Sequence, residues 1–254
     1  MGTGAITGYI DVAQLVLYAF WIFFFALVFW LHRESKREGY PLESDRSKQI
    51  RVVGWPDMPP PKVYRLPHGG GKREAPLPDP SNPLAAEPTG AWLGAPLQPT
   101  GNPMIDGVGP AAWAIRPEVP DLTHTGVPKI VPMRIATDFS VAERDPDPRG
   151  KPVYGADGEV GATVTDIWVD RAEPQIRYLE IETASGRTLL PINFVRMSKD
   201  GERVLVKSIL SGHFASVPGI ANMDQITLQE EDKICAYYGG GHLYATPERS
   251  EPLI

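Results

Sequence analysis

Carboxylates are the residues of this sequence whose type and spacing indicate chemistry most directly. Asp166 and Asp170 alternate with apolar residues along a β-branched stretch, and Glu173 follows shortly after it. A second such stretch carries Glu180 and Glu182. Because successive side chains of a strand point to opposite faces, each stretch places its carboxylates on one face. If the two strands pair, the acidic groups of both share one surface.

Two interpretations of this surface remain open. Like charges at short distances repel, so we expect the pKa of some of these carboxyl groups to be raised. A carboxyl group that titrates near neutral pH can accept and pass on protons. The alternative is a solvated acidic face that only keeps the domain soluble, and strand parity alone does not separate the two.

The sequence carries no motif for other catalytic chemistry. It has no Walker A sequence, no G-x-G-x-x-G after a strand, no G-x-S-x-G and no H-E-x-x-H. The five histidines lack metal-ligand spacing, and the single cysteine, Cys235, fits a buried structural thiol in a reducing compartment. A net charge of −6 argues against a nucleic-acid binder. We therefore expect a protein that is not an enzyme.

The stretch from Val12 to Leu31 is uncharged and apolar. As a helix of 20 residues it is about 30 Å long, the thickness of the hydrocarbon core of a bilayer. A cleaved signal peptide would have basic residues before this stretch and small residues after it. Residues 1–11 contain no Lys or Arg, and the bulky Phe29 and Trp30 lie at the other end. We predict a retained transmembrane helix at residues 12–31.

Flanking charges predict the orientation of this helix. Arg33, Lys36 and Arg37 follow it, whereas Asp11 is the one charged residue before it. The positive-inside rule places residues 1–11 outside and the chain from about His32 onward in the cytoplasm. The helix contains eight of the 23 aromatic residues, which favours a neighbouring protein helix. An anchor surrounded by lipid alone is the alternative.

Proline dominates the middle of the chain. Eighteen of the 27 prolines lie between Pro56 and Pro132, which excludes helix interiors and central strands there. A disordered linker would be poor in the Trp, Leu, Val and Ile residues that this segment keeps. We predict that residues 32–129 form an extended segment that covers the surface of a partner, with a free linker as the alternative.

From residue 130 to residue 254 the pattern indicates a small β domain. Short β-branched stretches recur about every ten residues between glycine turns, as in an antiparallel barrel or sandwich. The stretches are 163–170, 177–183, 187–192 and 203–207. Thr227 and Glu230 form a capping box that predicts a helix near 228–243, whose far end the run Gly239-Gly240-Gly241 is expected to weaken.

Six runs, in order along nearly the whole chain, are specific to one family when taken together. They are the aromatic-rich span, Arg37-Glu38-Gly39-Tyr40-Pro41-Leu42-Glu43, Thr100-Gly101-Asn102-Pro103-Met104, Asp106-Gly107-Val108-Gly109-Pro110-Ala111, Asp166-Ile167-Trp168-Val169-Asp170 and Glu230-Glu231-Asp232-Lys233-Ile234-Cys235. The chain resembles the H subunits of purple bacterial photosynthetic reaction centres, and its C-terminal half resembles their PRC-barrel domain. The resemblance implies one N-terminal transmembrane α-helix, then a mainly β cytoplasmic domain, a small PRC-type antiparallel barrel with a C-terminal helix.

The resemblance also implies a function. An H subunit binds no pigment, caps the cytoplasmic side of the pigment-binding L and M subunits, and helps to conduct protons to the secondary quinone. Bacteriochlorophyll, bacteriopheophytin, quinones and a non-haem iron then belong to partner subunits, with no cofactor on this chain. The implied location is the bacterial inner (intracytoplasmic) membrane, with a periplasmic N-terminus. Membrane lipids, an antenna ring and a cytochrome subunit are its implied neighbours, and nucleic acid is not.

Site residues follow from the same resemblance. Asp170 and Glu173 match the acidic proton-transfer positions of the family, and Arg177 matches a basic neighbour that tunes them. A proton carrier of this kind needs titratable side chains because water is scarce beside a quinone in a membrane.

Some members of the family also carry an Asp and two His residues at a surface site for proton entry and a transition metal. The matching stretch here, Thr123-His124-Thr125-Gly126-Val127, has one histidine, displaced by a position or two. One histidine cannot hold a metal alone, so we expect no metal site. His124 and Asp121 remain candidates for collecting protons, because an imidazole titrates near neutral pH.

One rival class is a membrane-tethered adaptor that uses a PRC-type barrel without a photosynthetic partner. It predicts a freely soluble and stable domain once the span is removed. A membrane-anchored hydrolase is a third class, but the sequence offers no nucleophile arrangement for it.

Overall fold

The computed structural model describes residues 4–40, 54–76, 84–92 and 94–250 of the 254-residue chain. The chain divides into two units, Met1–Asn82 and Pro83–Ile254. The α-helices are α1 (Val12–Arg37), α2 (Pro103–Asp106) and α3 (Leu228–Tyr244). The strands are β1 (Lys62–Arg65), β2 (Lys72–Ala75), β3 (Ala86–Pro88), β4 (Leu97–Pro99), β5 (Ile130–Pro132), β6 (Pro152–Tyr154), β7 (Val160–Asp170), β8 (Gln175–Thr183), β9 (Gly186–Pro191), β10 (Val195–Met197) and β11 (Val204–Val206).

In the first unit, α1 begins after Asp11, whose side chain accepts a hydrogen bond of 2.7 Å from the backbone N–H of Gln14. The helix continues six residues beyond Leu31, the predicted end of the span. Among the described residues it is the one helix long and apolar enough to cross a membrane, a test that a signal sequence also passes. Most of its apolar side chains are exposed within the unit, as expected for a helix surrounded by lipid or by a partner.

The last turn of α1 is attached to the chain that follows it. The buried Lys36 ammonium donates hydrogen bonds of 2.6 Å to the carbonyls of Gly54 and Pro56. The ring of Phe29 packs against Trp55 at 4.9 Å between centroids. The antiparallel hairpin of β1 and β2 comes next. The family-typical run that begins at Arg37 is described as far as residue 40, and residues 41–43 of it lie outside the described residues.

The second unit contains a seven-stranded sheet in the order β10-β11-β6-β7-β8-β9, with β5 paired to β7. Strands β7, β8, β9 and β11 lie where the sequence predicts strands, and α3 closes the core against the sheet. Antiparallel pairing holds for the described strands of this sheet except β6 and β11, which pair in parallel. The largest fully buried side chains include Trp168, Phe214 and Tyr238. The predicted mainly β domain with a C-terminal helix is confirmed.

Helix α3 starts with the predicted capping box. The side chain of Thr227 accepts from the N–H of Glu230, and the side chain of Glu230 accepts from the N–H of Thr227. The helix continues through the glycine run to Tyr244, and the weakening of its far end stays a prediction. A Cβ on Gly240 would lie 2.5 Å from the Cβ of Ala111, so glycine allows α3 to pack closely on the short 3₁₀ turn Gly109–Ala111.

The segment before the sheet is extended and packs on α3. The backbone N–H groups of Ala114 and Arg116 donate to the side chains of Asp232 (3.0 Å) and Gln229 (2.9 Å). Short hairpins and turns, with no long helix in the described part, agree with the proline content. These contacts argue against a free linker for the part of this segment that belongs to the second unit. Whether the segment covers a partner stays a prediction.

Candidate functional site

The ammonium group of Lys129 lies between two carboxylates. Its Nζ is 3.5 Å from Oδ2 of Asp170 and 3.8 Å from Oδ2 of Asp121. The register of β5 and β7 explains this position, since Ile130, the residue after Lys129, pairs with Asp170. The backbone N–H of Lys129 also donates a hydrogen bond of 2.8 Å to the backbone carbonyl of Asp121, which closes the loop between these two residues. We name Asp121, Lys129 and Asp170 the Lys129 network.

The Lys129 network runs from the surface into the protein. The side chain of Asp121 is 49% exposed, that of Lys129 is 24% exposed, and that of Asp170 has no exposed area. Oδ1 of Asp170 accepts hydrogen bonds from the N–H groups of Ala172 (2.9 Å) and Glu173 (3.1 Å). Oδ2 has no hydrogen-bond partner among the described residues, although buried oxygens normally have one. Its nearest charged neighbour there is the ammonium group of Lys129, at 3.5 Å.

Glu173 and Arg177 lie beside this network without completing it. Glu173 is exposed at the turn between β7 and β8, and its carboxylate accepts a hydrogen bond of 3.2 Å from Gln175. No ion pair joins Arg177 to Asp170 or Glu173 within the described parts of the chain. The charge of Arg177 acts instead on Glu231, on the first turn of α3. Glu173 therefore contacts Asp170 through its backbone N–H, whereas the charge of Arg177 acts on a different carboxylate, that of Glu231.

Glu231 is a member of this region that sequence reasoning missed. Its Oε2 accepts a hydrogen bond of 2.8 Å from the hydroxyl of Tyr178. Burial raises the pKa of Glu231, the hydrogen bond from Tyr178 and the charges of Arg177 and Lys129 act against this increase, and the charge of Asp121 adds to it. In the sequence, Glu231 looks like an ordinary acidic residue in the first turn of a helix. Its proximity to β8 depends on tertiary packing, for which the sequence has no local signal.

His124 lies on a surface turn next to Asp121. Leu122 and Pro128 form a β-bridge across this turn, and His124 is exposed near its tip. No hydrogen bond or ion pair between His124 and Asp121 occurs in the portions of the chain that the structure describes. In those same portions, no group of three His, Cys, Asp or Glu side chains could hold a metal ion. The two residues share an exposed loop, as a group that collects protons from water requires.

The other acidic residues of β7 and β8 form a second, separate network. Nη1 of Arg134 donates to Asp166 (3.1 Å) and to Glu180 (2.6 Å), which lie opposite each other in the sheet. Glu180 also accepts hydrogen bonds of 3.0 Å from the side chains of Trp168 and Thr165. Burial works against the charged guanidinium, but the hydrogen bond and the charge of Glu180 still raise the pKa of Arg134. We name Arg134, Asp166 and Glu180 the Arg134 network.

Two expectations from strand parity are corrected by this arrangement. Asp166, Asp170 and Glu180 are all buried, so they do not form a solvated acidic face. They also do not form one repelling cluster, because Arg134 compensates Asp166 and Glu180. Irregular register between Val164 and Asp166, and again between Trp168 and Val169, interrupts the strict alternation along β7. The acidic residues of this strand therefore belong to two networks with different cations.

An open cavity of about 550 Å³ lies beside the Arg134 network. Three arginines contribute to its lining: Arg134, Arg149 and Arg187. Each guanidinium is already paired with a carboxylate, Arg149 with Asp147 and Arg187 with Glu182. The cavity therefore offers no uncompensated charge to a ligand.

Comparison with known protein families shows the family to which this chain belongs. The model of the photosynthetic reaction centre H-chain N-terminal region matches residues 4–135, slightly more than half of the sequence. The chain belongs to the reaction-centre H-chain family. A second model, that of the PRC-barrel domain, matches residues 141–211 of this H chain. The predicted PRC-type barrel is confirmed, and membership of the family associates the chain with the reaction centre complex.

The two family matches meet at the Lys129 network of this H chain. Asp121 and Lys129 lie in the N-terminal region, Asp170 lies in the PRC-barrel domain, and Glu231 lies beyond both matches. The site is therefore assembled from three parts of the chain. The family and the apolar helix α1 together indicate a membrane-anchored subunit.

Proposed function

We propose that this H chain caps the cytoplasmic side of the L and M subunits and conducts protons to the secondary quinone. The Lys129 network is the observation that carries the proposal. It joins an exposed carboxylate, Asp121, to a completely buried one, Asp170, through a shared ammonium group. A conduit for protons needs such a series, because ionisable groups are scarce in apolar surroundings and each must be within reach of the next.

Protons would enter at Asp121 and His124 and continue to Asp170. Oδ2 of Asp121 and Oδ2 of Asp170 are each within 4 Å of Nζ of Lys129, so they are less than 8 Å apart. A short chain of water molecules spans such a distance. Lys129 compensates the charge of the buried carboxylate. Oδ2 of Asp170, which has no hydrogen-bond partner among the described residues, would accept the proton. Glu173, whose N–H binds Asp170, provides an exposed acceptor next to it.

Glu231 would add a store for protons beside this route. Its raised pKa, caused first by burial, allows it to hold a proton at a pH at which an exposed glutamate is ionised. The charges of Asp121 and Lys129 both influence it, so a change of protonation at Glu231 affects the Lys129 network electrostatically. Arg177 tunes this store by favouring its ionised form.

Exposed apolar side chains support the capping role. The described parts of residues 32–129 expose many large apolar groups, among them Trp55, Met58, Leu97, Ile105 and Ile115. Apolar surface of this density is typical of a protein interface. The pigments, the quinones and the non-haem iron would belong to the L and M subunits that this surface covers. Family membership argues against the adaptor without a photosynthetic partner.

The proposed orientation follows from the charges around α1. Arg33, Lys36 and Arg37 at its C-terminal end favour a cytoplasmic location for everything that follows. The N-terminal residues would be periplasmic, and the membrane would be the bacterial inner (intracytoplasmic) membrane. The chain from about His32 onward would then lie on the side from which the protons are taken up.

The test uses the intact complex with Asp170→Asn and Glu173→Gln combined in this chain. We expect proton uptake after a flash, and reduction of the secondary quinone coupled to it, to slow by at least tenfold. Primary charge separation and assembly should be unchanged, because neither residue contacts a pigment in this proposal. The matched control, Glu118→Gln with Glu159→Gln, removes two exposed carboxylates of the same unit. Unchanged uptake kinetics in the first variant would contradict the proton-transfer role.

A further inference from the structure

We propose that the β1–β2 hairpin is a binding site for the headgroups of anionic phospholipids in the membrane that α1 spans. The inference goes beyond the proposed proton transfer and does not depend on it. It depends on α1 being a membrane span, on the position of the hairpin at the end of that helix, and on the charges that the hairpin carries.

The base of the hairpin is held at the level of the headgroups. Glu34 comes three residues after Leu31, the end of the apolar stretch, and so lies about 4.5 Å further along the helix axis. The headgroup layer is roughly 5–7 Å thick on each side of the hydrocarbon core. Nζ of Lys62, the first residue of β1, is 2.9 Å from Oε2 of Glu34. Nε of Arg37 donates a hydrogen bond of 3.1 Å to the carbonyl of Pro60 and fixes the chain just before the hairpin.

The remainder of the hairpin stays within reach of the same surface. A strand of four residues is about 13 Å long, so its tip cannot be further than this from Lys62 along the strand. Arg65 and Lys72 are three residues from the base, at most about 10 Å along the strands, which is close to the Debye length of about 8 Å at physiological salt, so a charged membrane surface can still attract them.

The charge of the chain is concentrated next to the span. Residues 32–82 contain ten Lys and Arg against seven Asp and Glu, a net charge of +3. Residues 83–254 contain 15 against 23, a net charge of −8. Of these two segments of an acidic protein, the one with a positive balance is thus the segment that follows the membrane helix. An anionic lipid surface attracts basic residues in this position, with about a fivefold gain in binding for each.

Beyond its base, the hairpin carries three basic residues that have no partner among the described residues. Arg65 pairs directly with Lys72 across the two strands, and like charges in this position repel. Arg73 is the third cation, opposite Tyr64. None of these three cations makes a hydrogen bond or an ion pair within the described ranges, in contrast to Lys62 and Arg37 at the base. A phosphate group from outside would relieve the repulsion between Arg65 and Lys72.

Apolar side chains of the hairpin suit the same location. Val63, Tyr64 and Leu66 are all substantially exposed. Tyrosine is enriched at the boundary between membrane and water, and basic residues combined with exposed apolar ones are typical of elements that lie on a membrane surface. An acidic protein surface would satisfy the cations but would not account for their position at the end of a span.

The test measures lipid binding by the delipidated complex that contains the full-length chain, in detergent. Phosphatidylglycerol and phosphatidylcholine are titrated separately, and bound lipids are counted by native mass spectrometry. We expect Arg65→Gln, Lys72→Gln and Arg73→Gln together to weaken the tightest phosphatidylglycerol binding by at least tenfold, without a change for phosphatidylcholine. The matched control, Arg196→Gln, Lys199→Gln and Lys207→Gln, removes three exposed cations of the second unit and should leave both unchanged.

Two outcomes would overturn the proposal. One is equal phosphatidylglycerol affinity in the triple hairpin variant and the native complex. The other is loss of a partner subunit from the variant with lipid binding retained, which would assign the hairpin to an acidic protein surface. As a second measurement, raising the salt concentration should weaken phosphatidylglycerol binding to the native complex much more than to the variant. Proton uptake should be unaffected in either case, so this test and that of the proton route can fail independently.

Discussion

Two ion networks start from the same strand, β7, and they differ in how completely their carboxylates are bonded. In the Arg134 network, Glu180 is almost fully buried and accepts from Arg134, Trp168 and Thr165. In the Lys129 network, Asp170 is equally buried but one of its oxygens has no donor among the described residues. The first arrangement stabilises the fold with saturated bonds. The second leaves one carboxylate oxygen without a hydrogen bond, and the proposed function assigns proton exchange to this oxygen.

The largest effect should come from removing the cation of the saturated network. Arg134→Met leaves Asp166 and Glu180 facing each other in the core, with the exposed Arg187, 3.6 Å from Glu180, as the remaining cation, so we expect unfolding of the full-length chain to become easier by about 3 kcal/mol. Chemical denaturation in detergent measures this change. Arg196→Met, at an exposed position, is the control and should be nearly neutral. An equally small effect for both would show that Arg134 does not hold this network together.

A pair of conservative substitutions sharpens the comparison. Glu180→Gln weakens several charged hydrogen bonds at once, so it should cost about 2 kcal/mol of stability and leave proton uptake unchanged. Asp170→Asn keeps the oxygen that binds the backbone but removes the buried charge that pairs with Lys129, so it should cost about 1–3 kcal/mol and also slow proton uptake. Denaturation curves and flash-induced uptake are measured on both variants. If Glu180→Gln slows proton uptake as much as Asp170→Asn does, the two networks do not have separate roles.

The smallest expected effect concerns Glu231 and depends on pH. Burial raises the pKa of Glu231, so the folded chain binds this proton more tightly than the unfolded chain does. The stability that results is present below the ordinary pKa of 4.5 and is lost as the pH rises through the raised value. Glu231→Gln cannot ionise, so its stability relative to the native chain should increase with pH. Denaturation midpoints between about pH 4 and pH 8 measure this trend, with Glu159→Gln as an exposed control.

The elements whose signals are local could be predicted from the sequence. The capping box of Thr227 and Glu230, the apolar stretch of α1 and the strands β7 to β9 depend on neighbouring residues, and the structure has each of them. Asp170, Glu173 and Asp121 were named through the family resemblance, and the structure places them close together through Lys129 and the backbone.

The connections between elements could not be predicted. Strand parity places Asp166 and Asp170 on one face, but irregular register along β7 and the separate cations Arg134 and Lys129 assign them to different networks. Arg134 is 32 residues away from Asp166 and Lys129 is 41 residues away from Asp170 in the sequence, and no local pattern marks either cation. Glu231 has an ordinary signature as a residue of a helix N-terminus, so its burial against Tyr178 could only come from the packing of α3.

The residues on either side of strand β5 limit how well this barrel could function as a domain in another protein. Lys129 precedes this three-residue strand and Arg134 follows it, and both lie before residue 141, where the match to the PRC-barrel domain begins. A gene fusion that took residues 141–211 alone would carry Asp166, Asp170 and Glu180 without either cation. The recipient chain would have to supply two positive charges on an equivalent edge strand. The domain boundary given by the family match therefore excludes the two cations that neutralise the buried carboxylates of this barrel.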